Sequence, residues 1–270
     1  MRWSLSLRVT LAIAVALTGG MRGVESRGDD GDWAEIHESG GFIFRSERSF
    51  PEWRQVADEL QTLRDDIASE LGIRTLGGEG EPRIQINLFK SHRTYARHLA
   101  SRAPAGASRP ACFVQGPDLG RVYVVHHEDW KTNVRHEVTH ALLHQSLPFI
   151  PLWLDEGLAV YFEAPRETRA QKHPYLSTVR WQVRFGWRPN LIDLESREDL
   201  SDMRMADYRQ SWGWVEFLLH HSDESNQLLR RYLAEIESDT PPGPLSSYMK
   251  DSMPESGSAF VRHFKSPRRY

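Results

Sequence analysis

Cysteine is almost absent from this sequence. Cys112 stands alone, so no structural disulfide can form within the chain, and the residue is expected to serve as a small buried hydrophobe. Any block of lysine or arginine is missing too. Positive charge is scattered and mostly arginine, in a chain of net charge −3, which gives no electrostatic case for a nucleic acid or an anionic membrane as partner. Internal repeats and low-complexity tracts are lacking. The apolar run from Val9 to Leu17 is too short to cross a bilayer, which takes roughly 20 residues.

That short run has a different meaning. Arg2 and Arg8 supply positive charge, and Thr18-Gly19-Gly20 breaks the run. Together they read as a signal peptide over residues 1–25, so the protein is expected to be secreted or periplasmic, with no stable membrane insertion once the signal is removed. No cysteine follows the run, which disfavours a lipid-anchored form.

What is present supports a sizeable core. The 270 residues are 39% hydrophobic and 26% charged, enough for one large domain or a small pair sharing a core. Residues 26–41 read as a linker and first strand, with the strand pair Glu35 to Ser46 turning about Gly40-Gly41. Residues 42–129 form an α/β part. In it, Ser49 and Glu52 have capping-box spacing ahead of a helix whose stripe is Trp53, Val56, Leu60, Leu63, Ile67 and Leu71, with Gly72 as its C-terminal cap. Ile84 to Phe89 alternates as a strand, Ser91 to Leu99 reads as a short helix, Ala103 to Pro110 as a loop, and Arg121 to His126 as another strand. Residues 130–238 are helical: Trp130 to Gln145, Leu152 to Phe162, Tyr175 to Trp187, Asp207 to His220 and Asn226 to Ile236. Residues 239–270 are weakly patterned and read as a tail. The expected fold is α+β, a small mixed sheet with helices followed by a mostly helical lobe.

The chemistry falls where the two halves join. His136 and His140 are four residues apart on a helix, so their imidazoles project from one face about one turn apart and can reach one cation. Glu137 is rotated roughly 100° from them. It is badly placed to be a ligand but well placed to act on the water that such a metal activates. The helix runs on past His140, turns through Pro148 and Pro151, and returns. The outward and return legs nearly cancel at about 1.5 Å per residue, which brings Glu156 back to the level of His140 on an antiparallel neighbour. Two histidines and one glutamate leave a fourth tetrahedral position open, as in catalytic rather than structural zinc sites.

His136 to His140, with Ala141-Leu142, followed by Pro151 to Ala159 resembles the gluzincin metallopeptidases, and within them the small exported peptidase MA-like group. Its pattern H-E-x-T-H-A-L, then P-x-W-L-x-E-G-L-A, stands in this chain. The resemblance is specific over His136 to Glu163. It implies a thermolysin-like zincin core, zinc as cofactor and hydrolysis of peptide bonds in a peptide or protein substrate. It also implies a tyrosine downstream of the glutamate ligand as the donor that stabilises the oxyanion. Tyr208 fits that place, at the head of the inward stripe Tyr208, Trp212, Val215, Leu219. Tyr161 competes for the role. In gluzincins an edge strand beside the metal helix pairs with extended substrate; Arg121 to His126 is here either that edge or an inner strand.

Asp155 is expected to orient a ligand imidazole, or else to sit solvated in the first turn of its helix. His144 lies about 12 Å along the axis from His136, too far to share an ion. His126 and His127 read as surface residues, and Trp181, Trp187, Trp212 and Trp214 as core. Two rival functions remain: a zinc-containing binding or scaffold module without turnover, and a zinc hydrolase of non-peptide amides.

Overall fold

The computed structural model describes residues 11–13, 32–76, 83–116, 119–169, 172–240 and 242–266. The signal-peptide expectation and its cut site fall almost wholly outside these residues. The fold is α+β. Strands β1 (Leu11–Ile13), β2 (Glu35–Ser39), β3 (Phe42–Ser46), β4 (Ile84–Phe89), β5 (Ala111–Gln115) and β6 (Gly120–Val125) form one mixed sheet in the order β1-β5-β6-β4-β3-β2. β4 runs parallel to both β3 and β6, while β5 runs antiparallel to β6.

Local sequence explains the first elements. Gly40 and Gly41 take φ of 55° and 82°, which only glycine adopts readily, so a two-residue turn closes the β2–β3 hairpin. Helix α1 (Trp53–Leu71) buries Val56, Leu60, Leu63, Ile67 and Leu71 and ends at Gly72, whose φ is 71°. The capping box expected at Ser49 and Glu52 does not form. The helix starts after Glu52 without a side-chain cap, and the backbone N–H of Phe50 donates to the Glu35 carboxylate instead.

One face of the sheet packs on α1 and on α3 (Trp130–Ser146), through Ile84, Ile86, Leu88, Phe113, Val122 and Val124. The other face is covered by α2 (His92–Leu99), through Phe89, Tyr95, Leu99, Cys112 and Tyr123. All of β4 is therefore buried, and its polar residues satisfy each other: the Gln85 amide donates to Asn87, and Asn87 donates to the Val122 carbonyl. Cys112 is wholly buried, and burial, reinforced by Glu137, pushes its thiol pKa up to about 12. It is inert packing.

β6 proves to be an inner strand, flanked by β4 and β5. The antiparallel strand next to it, β5, follows directly on the segment expected as a loop from Ala103 to Pro110 and carries no strand signal of its own. Among the described residues only the three-residue β1 lies beyond it.

The helical lobe is built on α4 (Leu152–Phe162), every residue of which from Trp153 to Phe162 is buried. It lies between α3 and α8 (Met205–His220). Around these pack α5 (Arg166–Arg169), α6 (Pro174–Arg184), α7 (Leu191–Glu195) and α9 (Asp223–Glu237). The weakly patterned end, expected as a tail, carries α10 (Leu245–Ser252) and α11 (Ser256–Lys265). Phe260 of α11 packs against Trp187, Trp214 and Phe217, so this segment belongs to the core. Trp212 and Trp214 are buried as expected; Trp181 is not, being 62% exposed. No helix of the described residues is long and apolar enough to cross a membrane.

Candidate metal centre

Helices α3 and α4 are joined by residues 147–151, where Pro148 and Pro151 prevent one continuous helix. The return brings Glu156 against His136 and His140, and all three side chains are buried. Glu156 Oε2 lies 3.7 Å from His136 Nε2, and Glu156 Oε1 lies 3.8 Å from His140 Nε2. These distances are too long for hydrogen bonds. They are close to the spacing of neighbouring ligands on one ion, since tetrahedral ligands about 2.0–2.1 Å from zinc stand roughly 3.3 Å apart. The three side chains form a group able to hold a metal ion.

The polar atoms of the site show what is missing from the protein's own bonding. His136 Nε2, His140 Nε2, both oxygens of Glu156 and both oxygens of Glu137 are buried without a hydrogen-bond partner. Buried polar groups rarely stay unpaired, and the ligand atoms of His136, His140 and Glu156 all lie within 4.8 Å of one another. A cation between them satisfies the ligand atoms at once, so the residues fit a metal.

Their outward-facing atoms are all tied down. His140 Nδ1 donates to Asp155 Oδ1 at 2.8 Å, and His136 Nδ1 donates to Glu163 Oε2 at 2.8 Å. Each bond fixes the tautomer that leaves Nε2 free to ligate. The other oxygen of Asp155 accepts from His144 Nε2 at 2.9 Å, so the second possible metal group, His140, His144 and Asp155, is accounted for by hydrogen bonds. Burial opposes the charge on Asp155, but His140 and His144 overcome it and hold the carboxyl below the usual carboxylate range. Burial would lower the His136 pKa; the carboxylates of Glu156 and Glu163 nevertheless raise it well above its ordinary value. The negative field that favours a proton there favours a cation equally.

Glu137 is fully buried beside this cluster. Burial, with a contribution from Glu156, raises its pKa well above the carboxylate norm. Gly157, directly after Glu156, lets α4 and α8 touch backbone to backbone: a Cβ there would meet the Ser211 carbonyl oxygen at 2.9 Å and Val215 Cγ2 at 2.9 Å. This close crossing brings Tyr208, in the first turns of α8, toward the metal group. Tyr208 is buried and its hydroxyl has no hydrogen-bond partner. Burial and the Glu156 carboxylate raise its pKa, with Arg109 pulling the other way, so the phenol stays a neutral donor. Tyr161 points elsewhere: its hydroxyl donates to Glu70 and accepts from His220 Nε2 at 2.6 Å.

Two residues of the site are not apparent from sequence motifs. Glu163 lies seven residues after Glu156, about two turns on at the C-terminal cap of α4, and that spacing is a signal that points to it. Arg109 has none. It sits in the turn before β5, its backbone N–H bonded to Gly106, and its Nη1 is buried without a partner. Its charge is felt by both Tyr208 and Glu137. His126 and His127, expected at the surface, are half-buried and serve the start of α3: His126 stacks on Trp130 and accepts from Arg48, and His127 bonds Asn133 at 2.8 Å.

No family model matches the sequence, and no curated protein matches it. Among solved structures the chain is similar to an alanine mutant of an M1 zinc metallopeptidase from Deinococcus radiodurans, seen with a Tyr-Ser-Ala substrate. That likeness has a TM-score of 0.44 and 14% identity and covers 88% of this chain and 52% of the other. A second structure of the same mutant gives a TM-score of 0.43 and 14% identity over 85% of this chain and 49% of the other. The chain thus spans about half the length of the chains it matches, and a likeness this distant carries no functional argument.

Proposed function

We propose that this protein is a zinc-dependent metallopeptidase that hydrolyses peptide bonds. The observation that supports it most is the convergence of unpartnered buried donors from His136, His140 and Glu156, with the unpartnered carboxylate of Glu137 beside them. A site that only held a metal for structure would need no second acid beside its ligand Glu156; Glu137 is the reason to prefer turnover over a scaffold role.

In this reading His136, His140 and Glu156 hold the ion, and Asp155 and Glu163 keep the imidazoles aimed. A zinc ion there supplies Lewis-acid polarisation and acidifies water at neutral pH. Glu137 takes the proton of the attacking water and delivers it to the leaving amine, a shuttle that its raised pKa suits. Tyr208 donates to the oxygen of the scissile carbonyl as charge builds on it, and Arg109 adds a cation on the same side. β1 occupies the outer edge of β5 in this structure; removal of residues 1–25 as a signal peptide would free that edge to pair with an extended substrate chain.

The purified protein should carry about one zinc per chain and cleave casein or a quenched peptide. Chelation should abolish cleavage and added zinc should restore it. Stoichiometric zinc with no hydrolysis of either substrate sinks the peptidase reading in favour of a binding module. Tyr208→Phe should lower kcat by about 10–10³-fold, with zinc content and melting temperature almost unchanged, because the hydroxyl acts only as the oxyanion forms. A lower melting temperature with normal kcat would return Tyr208 to a packing role.

A further inference from the structure

The inner face of α6 is ordinary: Leu176, Val179 and Val183 are buried. Its outer face is not. Trp181, on the solvent side, is 62% exposed, and Phe185, one turn later, is 69% exposed. The two rings pack on each other, with centroids 4.7 Å apart, instead of reaching the core. Gly186, at φ 97°, then reverses the chain. Trp187 and Phe260 meet beyond it, 6.1 Å between centroids, which anchors the turn to α11. The exposed pair therefore stands on a fixed corner of the protein.

Along the segment that carries this corner, residues 172–190, every formally charged residue is a Lys or Arg. Lys172, Arg184 and Arg188 are exposed, Arg180 is half-buried, and no aspartate or glutamate occurs from Lys172 to Asn190. The acids that follow lie on α7: Asp193 is paired with Arg197 at 2.9 Å, and Glu195 accepts from the backbone N–H of Ser246 at 2.9 Å. The net charge of −3 for the whole chain conceals this local excess. Tryptophan and phenylalanine set among arginines are the side chains that settle into the headgroup region of a bilayer, the rings among the acyl ends and the guanidinium groups on the phosphates.

We propose that Trp181 and Phe185, flanked by Arg184 and Arg188, dock this protein on the surface of an anionic phospholipid bilayer. The contact is peripheral, and it stands independently of the hydrolytic reading. An exposed aromatic pair alone would suit many partners; the one-sided positive charge beside it selects an anionic one.

Co-sedimentation of the full chain with vesicles tests this. Wild type should bind phosphatidylglycerol vesicles and bind phosphatidylcholine vesicles far less, with the difference shrinking at about 0.5 M salt, where the screening length is only a few ångströms. The double variant R184Q/R188Q should bind phosphatidylglycerol more weakly by roughly fivefold for each arginine removed. W181S/F185S should lose at least tenfold, both with unchanged melting temperature. The apolar run Val9 to Leu17 is common to all variants, so its contribution cancels when each variant is compared with wild type. Absence of binding, equal binding to both lipids, or variants that bind like wild type would overturn the proposal. A dimer in solution that W181S/F185S dissociates would overturn it as well, by making a second copy of the chain the occupant.

Discussion

Glu137→Gln should retain zinc and the fold yet lose about 10²–10⁴-fold in kcat on a peptide substrate, the range that a general acid–base group contributes. The substitution keeps the shape of the side chain and removes its ability to accept a proton. Glu137 is wholly buried with neither oxygen paired, and burial already raises its pKa well above the usual value. A neutral amide in that place relieves an unfavourable charge, so stability should hold or rise. A stable, zinc-loaded, inactive variant is a combination that loss of folding cannot imitate. Turnover comparable to wild type in this variant, with contamination excluded, would remove Glu137 from the mechanism and with it the main reason for preferring an enzyme.

Glu156→Ala should have the second large effect, on metal binding. Removing groups that merely orient a ligand costs about 10–100-fold in metal affinity, and loss of a ligand should exceed that. At a zinc concentration of about 100 times the dissociation constant, binding stabilises the native state by about 2.7 kcal/mol, which is roughly 5–10 °C in melting temperature for a chain of this size. The wild-type protein should show that rise on adding zinc, and the variant should show little of it. The metal-free forms should differ much less, because Glu156 without a metal is a buried carboxylate with neither oxygen hydrogen-bonded, and its loss removes a desolvation penalty. Titration with zinc followed by calorimetry separates these cases. A variant that binds one zinc at wild-type affinity would show that Glu156 is not a ligand.

Both experiments concern residues whose relative placement follows from local sequence. The spacing of His136, Glu137 and His140 on one helix follows from the period of the helix, whatever packs around it. The return of Glu156 follows from the length of the two legs and from prolines that stop the helix between them. Gly40-Gly41 fixes a hairpin and Gly72 ends a helix because each takes a positive φ that other residues adopt only at a cost. The stripe of α1 is likewise a local property, since residues three and four apart share a face.

What the tertiary structure decided lies between segments distant in the chain. The run Val122-Tyr123-Val124-Val125 reads as a strand but leaves open whether it is an edge or an inner one, because strand propensity does not say which neighbours pair with it. Pairing with β4 on one side and β5 on the other makes β6 inner. β5 itself has no legible pattern because Ala111, Cys112 and Phe113 are all buried, which erases the alternation of a half-exposed strand. The capping box at Ser49 gives way to a bond from Phe50 to Glu35, fifteen residues earlier. Tyr161 and Tyr208 are both candidates on sequence grounds; a hydroxyl turned toward Glu70 and His220 separates one from the site, and the close crossing at Gly157 brings the other to it. Arg109 reaches the same place from a turn with no pattern of its own. The sequence by itself determined which atoms this protein can offer to a metal and in which local geometry, since backbone period and chain reversal are short-range. Only the packed structure decided which other side chains share that pocket and which rings face solvent, because those depend on how whole helices and strands lie against one another, and no local period encodes that.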